Sequence, residues 1–123
     1  MTGNDSQSAP SSPPVWASRW GAIAVDLAIG GTGVSAVSGT KTERQASKGA
    51  LQACKKKGGT QCSLRLTYRD QCAAVVTGEK VFSTTSAIST EEAARIGIDW
   101  CKKQNDTNCH LYFSDCSLPE RVR

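Results

Sequence analysis

The chain has 123 residues and a net charge of +4, which suits one domain and a basicity too mild to specify a nucleic-acid or membrane partner. Six cysteines beside a single histidine, with no Cys-x-x-Cys, favour a disulfide framework over a metal site or a redox motif. That usage places the protein in an oxidising compartment, and the first residues, M-T-G-N-D-S-Q-S, lack the basic start and apolar run of a signal peptide.

Residues 1–18 read as a flexible Ser/Pro-rich leader, because so little apolar content cannot offset the entropy of ordering. Trp16 is the exception, expected to dock on the domain edge. Such a leader also suits the tether of an outer-membrane lipoprotein whose acylated end has been trimmed. The ordered domain is expected over residues 19–119, with 120–123 as a frayed tail.

In W-G-A-I-A-V-D-L, Trp20, Ala22 and Ala24 alternate with Ile23, Val25 and Leu27, the pattern of a strand covered on both faces. Glycines at 30 and 31 supply a reversal, and V-S-A-V-S-G returns as a second strand. A helix starts at Thr42, where Thr42 and Gln45 form a capping box, and ends in Lys55–Lys57 and Gly58-Gly59. Ala46, Ala50, Leu51 and Cys54 form its inner stripe. Cys62 opens a strand with Leu64, Leu66 and Tyr68 on its buried face.

From Cys72 the pattern returns. C-A-A-V-V-T, a turn at Gly78-Glu79 and K-V-F-S-T-T make a hairpin, and Ser89 with Glu92 caps a second helix lined by Ala94, Ile98 and Cys101. Cys109 opens the last strand, with Leu111 and Phe113 inward. Adding 47 to Cys54, Cys62, Ala46 and Leu66 gives Cys101, Cys109, Ala93 and Phe113, so the chain holds an internal repeat. The expectation is an α+β fold of two tandem β-β-α-β units with pseudo-two-fold symmetry. Both helices should pack on one face of a mostly antiparallel sheet.

Equivalent positions should pair alike, which favours Cys54–Cys62 and Cys101–Cys109, each tying a helix end to the next strand. Cys72 and Cys116 then remain to join the halves. Loop entropy gives about 2.6 kcal/mol for each short bridge and about 4 kcal/mol for the long one.

No residue pattern carries a catalytic, cofactor or metal assignment. His110 stands alone on a strand face, and a zinc site from Cys109, His110 and Cys116 matches no common spacing. Glu91 and Glu92 face different directions, and Asp26, Asp70, Asp99 and Asp115 are scattered rather than paired as in a glycosidase. G-G-T-G-V-S does not lead into a helix, as a phosphate loop must. Lys55–Lys57 lack aromatic neighbours and are explained by the helix end, so no nucleic-acid partner is expected.

W-G-A-I-A-V-D, A-S-K-G-A-L-Q-A-C, G-G-T-Q-C-S-L and R-D-Q-C-A-A-V together resemble a family of small secreted bacterial domains of unknown function. The resemblance runs from Trp20 to Pro119, and the Ser/Pro leader and C-S-L-P ending are most similar to its xanthomonad-like branch. It implies export and a cysteine framework, and brings no functional residue with it.

The expected function is an exported, non-enzymatic protein-binding domain, periplasmic or secreted. Its most concrete form is an immunity protein that neutralises an antibacterial effector of a contact-dependent secretion system. A secreted factor acting on a host or the envelope, or a small cell-wall-acting enzyme, are the alternatives. Partner contacts are expected at the hairpin tips, Gly31 and Thr32 in one and Gly78 and Glu79 in the other, since loops on a rigid scaffold concentrate binding.

Overall fold

A computed structural model describes residues 12–123; residues 1–11 of the leader expected over 1–18 lie outside the described residues. The first unit comprises β2 (Trp20–Asp26), β3 (Val34–Thr40), α1 (Glu43–Lys56) and β4 (Cys62–Arg69). The second comprises β5 (Gln71–Thr77), β6 (Phe82–Ala87), α2 (Thr90–Lys103) and β7 (His110–Ser117). This is the expected α+β fold of two repeated units, with antiparallel pairing throughout.

One part of the expectation needs correction. The units do not share a sheet with both helices on one face; each has its own three-stranded sheet, ordered β3-β2-β4 and β6-β5-β7. The cause is Asp70. Held at φ 57 between Arg69 and Gln71, it turns the chain so sharply that β5 leaves the first sheet and starts the second.

Strand alternation then sorts the core into layers. Ala22 and Ala24 of β2 pack with Ala46, Ala50 and Cys54 of α1, and the small residues let the helix lie close to the sheet. Ile23 faces the other way and meets Tyr68, Ala73 and Val75, with Leu66, Phe82 and Phe113 around them. The two sheets therefore pack face to face, with one helix on each outer face. On α2 the buried positions are Ala93, Gly97 and Cys101, one residue earlier than Ala94 and Ile98, and Gly97 sits where a Cβ would press 2.6 Å from Val76.

Leu64 and Leu111 also depart from expectation, lying 38% and 39% exposed. In each unit the central strand skips one residue of its partner, Arg65 between Leu66 and Leu64 and Tyr112 between Phe113 and Leu111. Such a bulge reverses the inward face of everything before it.

The helix starts are capped as expected, with the Thr42 hydroxyl accepting from the Gln45 N–H and the Ser89 hydroxyl from the Glu92 N–H. The return arms differ: Gln45 Oε1 accepts from the Lys41 N–H, and Glu92 pairs with Arg95.

All three disulfides form as expected: Cys54–Cys62, Cys101–Cys109 and Cys72–Cys116. The last does not join the units, however. Cys72 and Cys116 stand directly opposite on β5 and β7, so the bridge lies within the second sheet. Three disulfides are consistent with a secreted or periplasmic protein. No described helix is long and apolar enough to cross a membrane.

The ordered fold reaches past residue 18 at one end and residue 120 at the other. β1 (Trp16–Ala17) pairs with β8 (Glu120–Arg121) as a two-stranded ribbon, and Arg19 is bonded to Glu120 beside it.

Candidate functional site

The two hairpins open at the same end of the sandwich. A Cβ on Gly33, in the first hairpin loop, would lie 3.5 Å from the Tyr112 hydroxyl near the start of β7. On the symmetry-related side Arg65 lies over the Phe82 ring, and the Thr84 hydroxyl donates to the Arg65 carbonyl. At the other end the Gly39 N–H donates to the Ser117 hydroxyl, and Asp70 and Arg19 exchange hydrogen bonds. The hairpin pole thus gathers loop 27–33, loop 78–81 and the two cystine-pinned turns that follow the helices.

Each hairpin loop is tied to its neighbouring turn by one carboxylate. Asp26, at the end of β2, accepts from the Ala28, Thr32 and Gln61 N–H groups at 3.1, 2.9 and 3.1 Å. Asp106, in the turn after α2, accepts from the Lys80 and Val81 N–H groups at 2.9 Å each. Both carboxyls are held below the ordinary carboxylate pKa, foremost by the Thr32 N–H for Asp26 and by the Lys80 N–H for Asp106.

The two latches are built from opposite sides. In the aligned ladders Asp26 corresponds to Gly78, and counting 47 from Gly59 gives Asp106. One unit supplies the carboxylate from the strand and the glycine from the turn; the other does the reverse. Glycine is required at both places. A Cβ on Gly78 would collide with the Asp106 carboxylate, and one on Gly59 would lie 2.5 Å from Cys62 Sγ.

The four tip residues singled out from sequence all lie at this pole, and all take part in its bracing. Gly31 leaves room for the Asp26 carboxylate, which a Cβ would approach to 2.5 Å, and Thr32 donates to it. Gly78 seats Asp106. The Glu79 N–H donates to the Thr107 carbonyl at 3.0 Å, and its carboxylate accepts from Asn108 Nδ2 at 3.0 Å. The residue that sequence reasoning missed is Ile29. It stands wholly exposed in the first loop beside the half-exposed Leu27, which had been placed in the strand. An isoleucine flanked by two glycines and an alanine was the available signal.

The titratable residues weighed from sequence are not brought together. His110 is exposed at the start of β7, with Nε2 3.3 Å from the Thr77 hydroxyl and Nδ1 2.7 Å from the Asn108 carbonyl. Glu91 lies on α2's first turn at the opposite pole, and Asp115 accepts the Tyr68 hydroxyl between the sheets at 2.7 Å. Cys109 and Cys116 are both in disulfides, and no described group of three ligating side chains could hold a metal. A cleft of about 360 Å³ at the opposite pole is bordered by Arg19, Ser38, Cys116, Leu118 and Glu120. Its one buried cation, Arg19, is already paired with Glu120 at 2.5 Å.

Residues 20–116 match the family described as a domain of unknown function, DUF4189. The chain belongs to that family. No curated protein and no solved structure matches it. The matched span begins at Trp20 of β2 and ends at Cys116 of β7, so it takes in both units and all three bridges of this DUF4189 domain.

Proposed function

We propose that this DUF4189 domain is an exported, non-enzymatic protein-binding module, and that the hairpin pole is its binding face. One observation carries the reading: two hairpin loops emerge side by side, each fixed by a buried or half-buried carboxylate latch and a cystine-pinned turn. Loops held in one conformation before contact lose little entropy on binding, which favours tight association over a small area.

The most concrete form of this reading is a periplasmic immunity protein or inhibitor that neutralises an antibacterial effector. The periplasm supplies the oxidant that three disulfides need, and a Ser/Pro-rich leader of xanthomonad-like type would serve as spacer to a membrane anchor. The test is protection. Periplasmic expression should rescue sensitive cells from a neighbouring strain's effector, with one-to-one complex formation by the oxidised protein. Absence of rescue against every effector of the source strain rejects the immunity form. Absence of any saturable protein partner rejects the binding reading itself.

A further inference from the structure

We propose that the hairpin pole docks onto an acidic surface of its protein partner, with Ile29 as the apolar anchor; this rests on the binding reading above. Lys55 and Lys56 close α1, Lys57 follows, and Lys102 and Lys103 close α2. Each run, taken alone, is explained as a favourable helix end. Folding adds what neither run shows separately. Both helix ends arrive at one pole, where Lys80 of the second hairpin joins them, and all six ammonium groups belong to exposed residues.

Three carboxylates share this pole, and the six ammonium groups outnumber them. Asp26 and Asp106 accept from backbone N–H groups and Glu79 from Asn108, and none forms an ion pair with a lysine among the described residues. Lys57 is fixed toward the first hairpin by a 2.5 Å bond to the Val34 carbonyl. The pole is therefore a positive field around braced loops, the arrangement that steers an acidic partner and raises its association rate.

Ile29 gives the face an apolar contact. It is 106% exposed, on a loop whose flanks are latched, and Tyr112 lies 57% exposed beside that loop. An isoleucine held in water by an ordered loop contributes nothing to the fold, and an apolar anchor inside a charged rim is the usual anatomy of a binding centre. The chain reaches the fold at the other pole, through Val15 and β1, so a tethering membrane would lie on that side. Tyr112 alone is too small a platform for stacked bases. An acidic protein surface is the partner that fits.

The test places a photo-crosslinking residue at Ile29 or, as control, at Arg44 on α1's first turn, in the full oxidised chain. Poly-L-glutamate is the defined acidic probe, with phosphatidylglycerol vesicles and duplex DNA beside it. Poly-L-glutamate should bind about tenfold more weakly when salt rises from about 0.05 to about 0.5 M, because exposed charges are screened. The Lys56→Glu, Lys80→Glu, Lys102→Glu triple variant should weaken binding at least as much, and the glutamine triple variant should reproduce the loss without charge reversal. In periplasmic extract, crosslinks from Ile29 should vanish in the triple variants. Crosslinks from Arg44 but not Ile29 would overturn this proposal and leave protein binding standing; no saturable crosslink from either position would overturn both. Tighter binding of the vesicles or DNA than of poly-L-glutamate would also overturn it.

Discussion

Tyr68 and Asp115 occupy the same position in the two units, 47 residues apart, and the Tyr68 hydroxyl donates to the Asp115 carboxylate at 2.7 Å. The bond lies where the duplicated sheets face each other, so each unit meets its own counterpart. Identical residues there would place two carboxylates or two phenols together. Divergence to Tyr and Asp makes the contact complementary. Gly21 makes it possible, since a Cβ on that residue would strike the Tyr68 ring.

Replacing Tyr68 with Phe should destabilise the domain by about 1.5–3 kcal/mol in urea denaturation, the scale of a hydrogen bond to a charged acceptor. Burial foremost, and then Asp115, raise the Tyr68 pKa above its ordinary value. The folded state therefore holds this proton above pH about 10, where the unfolded chain releases it. Stability should fall as pH rises beyond that point in the wild type, and the decline should be shallower in Tyr68→Phe.

Asp26→Asn and Asp106→Asn should each lower the midpoint of thermal unfolding at pH 7. Their depressed pKa values mean that the latch contribution is complete above the unfolded carboxylate value, about 4, and is lost as pH falls through the lower folded values. Each variant should accordingly flatten the acid limb of the stability curve, as read by circular dichroism between about pH 5 and pH 2.

Gly59→Ala should interfere with the Cys54–Cys62 bridge, because the added methyl would press on both sulfurs. After oxidative refolding, thiol titration should find free cysteine in this variant and none in the wild type. Gly58→Ala introduces no such crowding, since nothing lies within 4 Å there, and acts only through its φ of 94°. It should leave the bridge intact.

Removing Cys72 and Cys116 together should cost about 4 kcal/mol by loop entropy, against about 2.6 kcal/mol for Cys54 and Cys62. Denaturant midpoints of the two double-alanine variants should fall in that order. The first unit shows that a sheet can close without this bridge: at the corresponding ladder position Arg69 lies over the Trp20 ring, 5.6 Å from its centroid.

The repeat made most of this fold legible. Two cysteines, two caps and a shared spacing of apolar residues were enough for the element order and all three pairings. What stayed hidden has local physical causes. A single residue, Asp70 at positive φ, separates two sheets from one, and an Asp-Gln pair after Arg69 does not announce that. The bulges at Arg65 and Tyr112 turned Leu64 and Leu111 outward, although strict alternation placed them inward. The hairpin tips were legible as loops, but their convergence with the lysine-rich helix ends depends on how the units face each other. Ile29 was legible as part of the glycine-rich reversal, but its full exposure depends on how the folded loop is held.

The most direct measurement is hydrogen–deuterium exchange of the oxidised domain, alone and with its protein partner bound. Protection should concentrate in residues 27–33 and 78–81 and the turns after both helices, with Arg19, Asp70 and Ser117 at the far pole unchanged. Protection centred on the far pole, with the hairpin loops exchanging as they do in the free protein, would contradict the account.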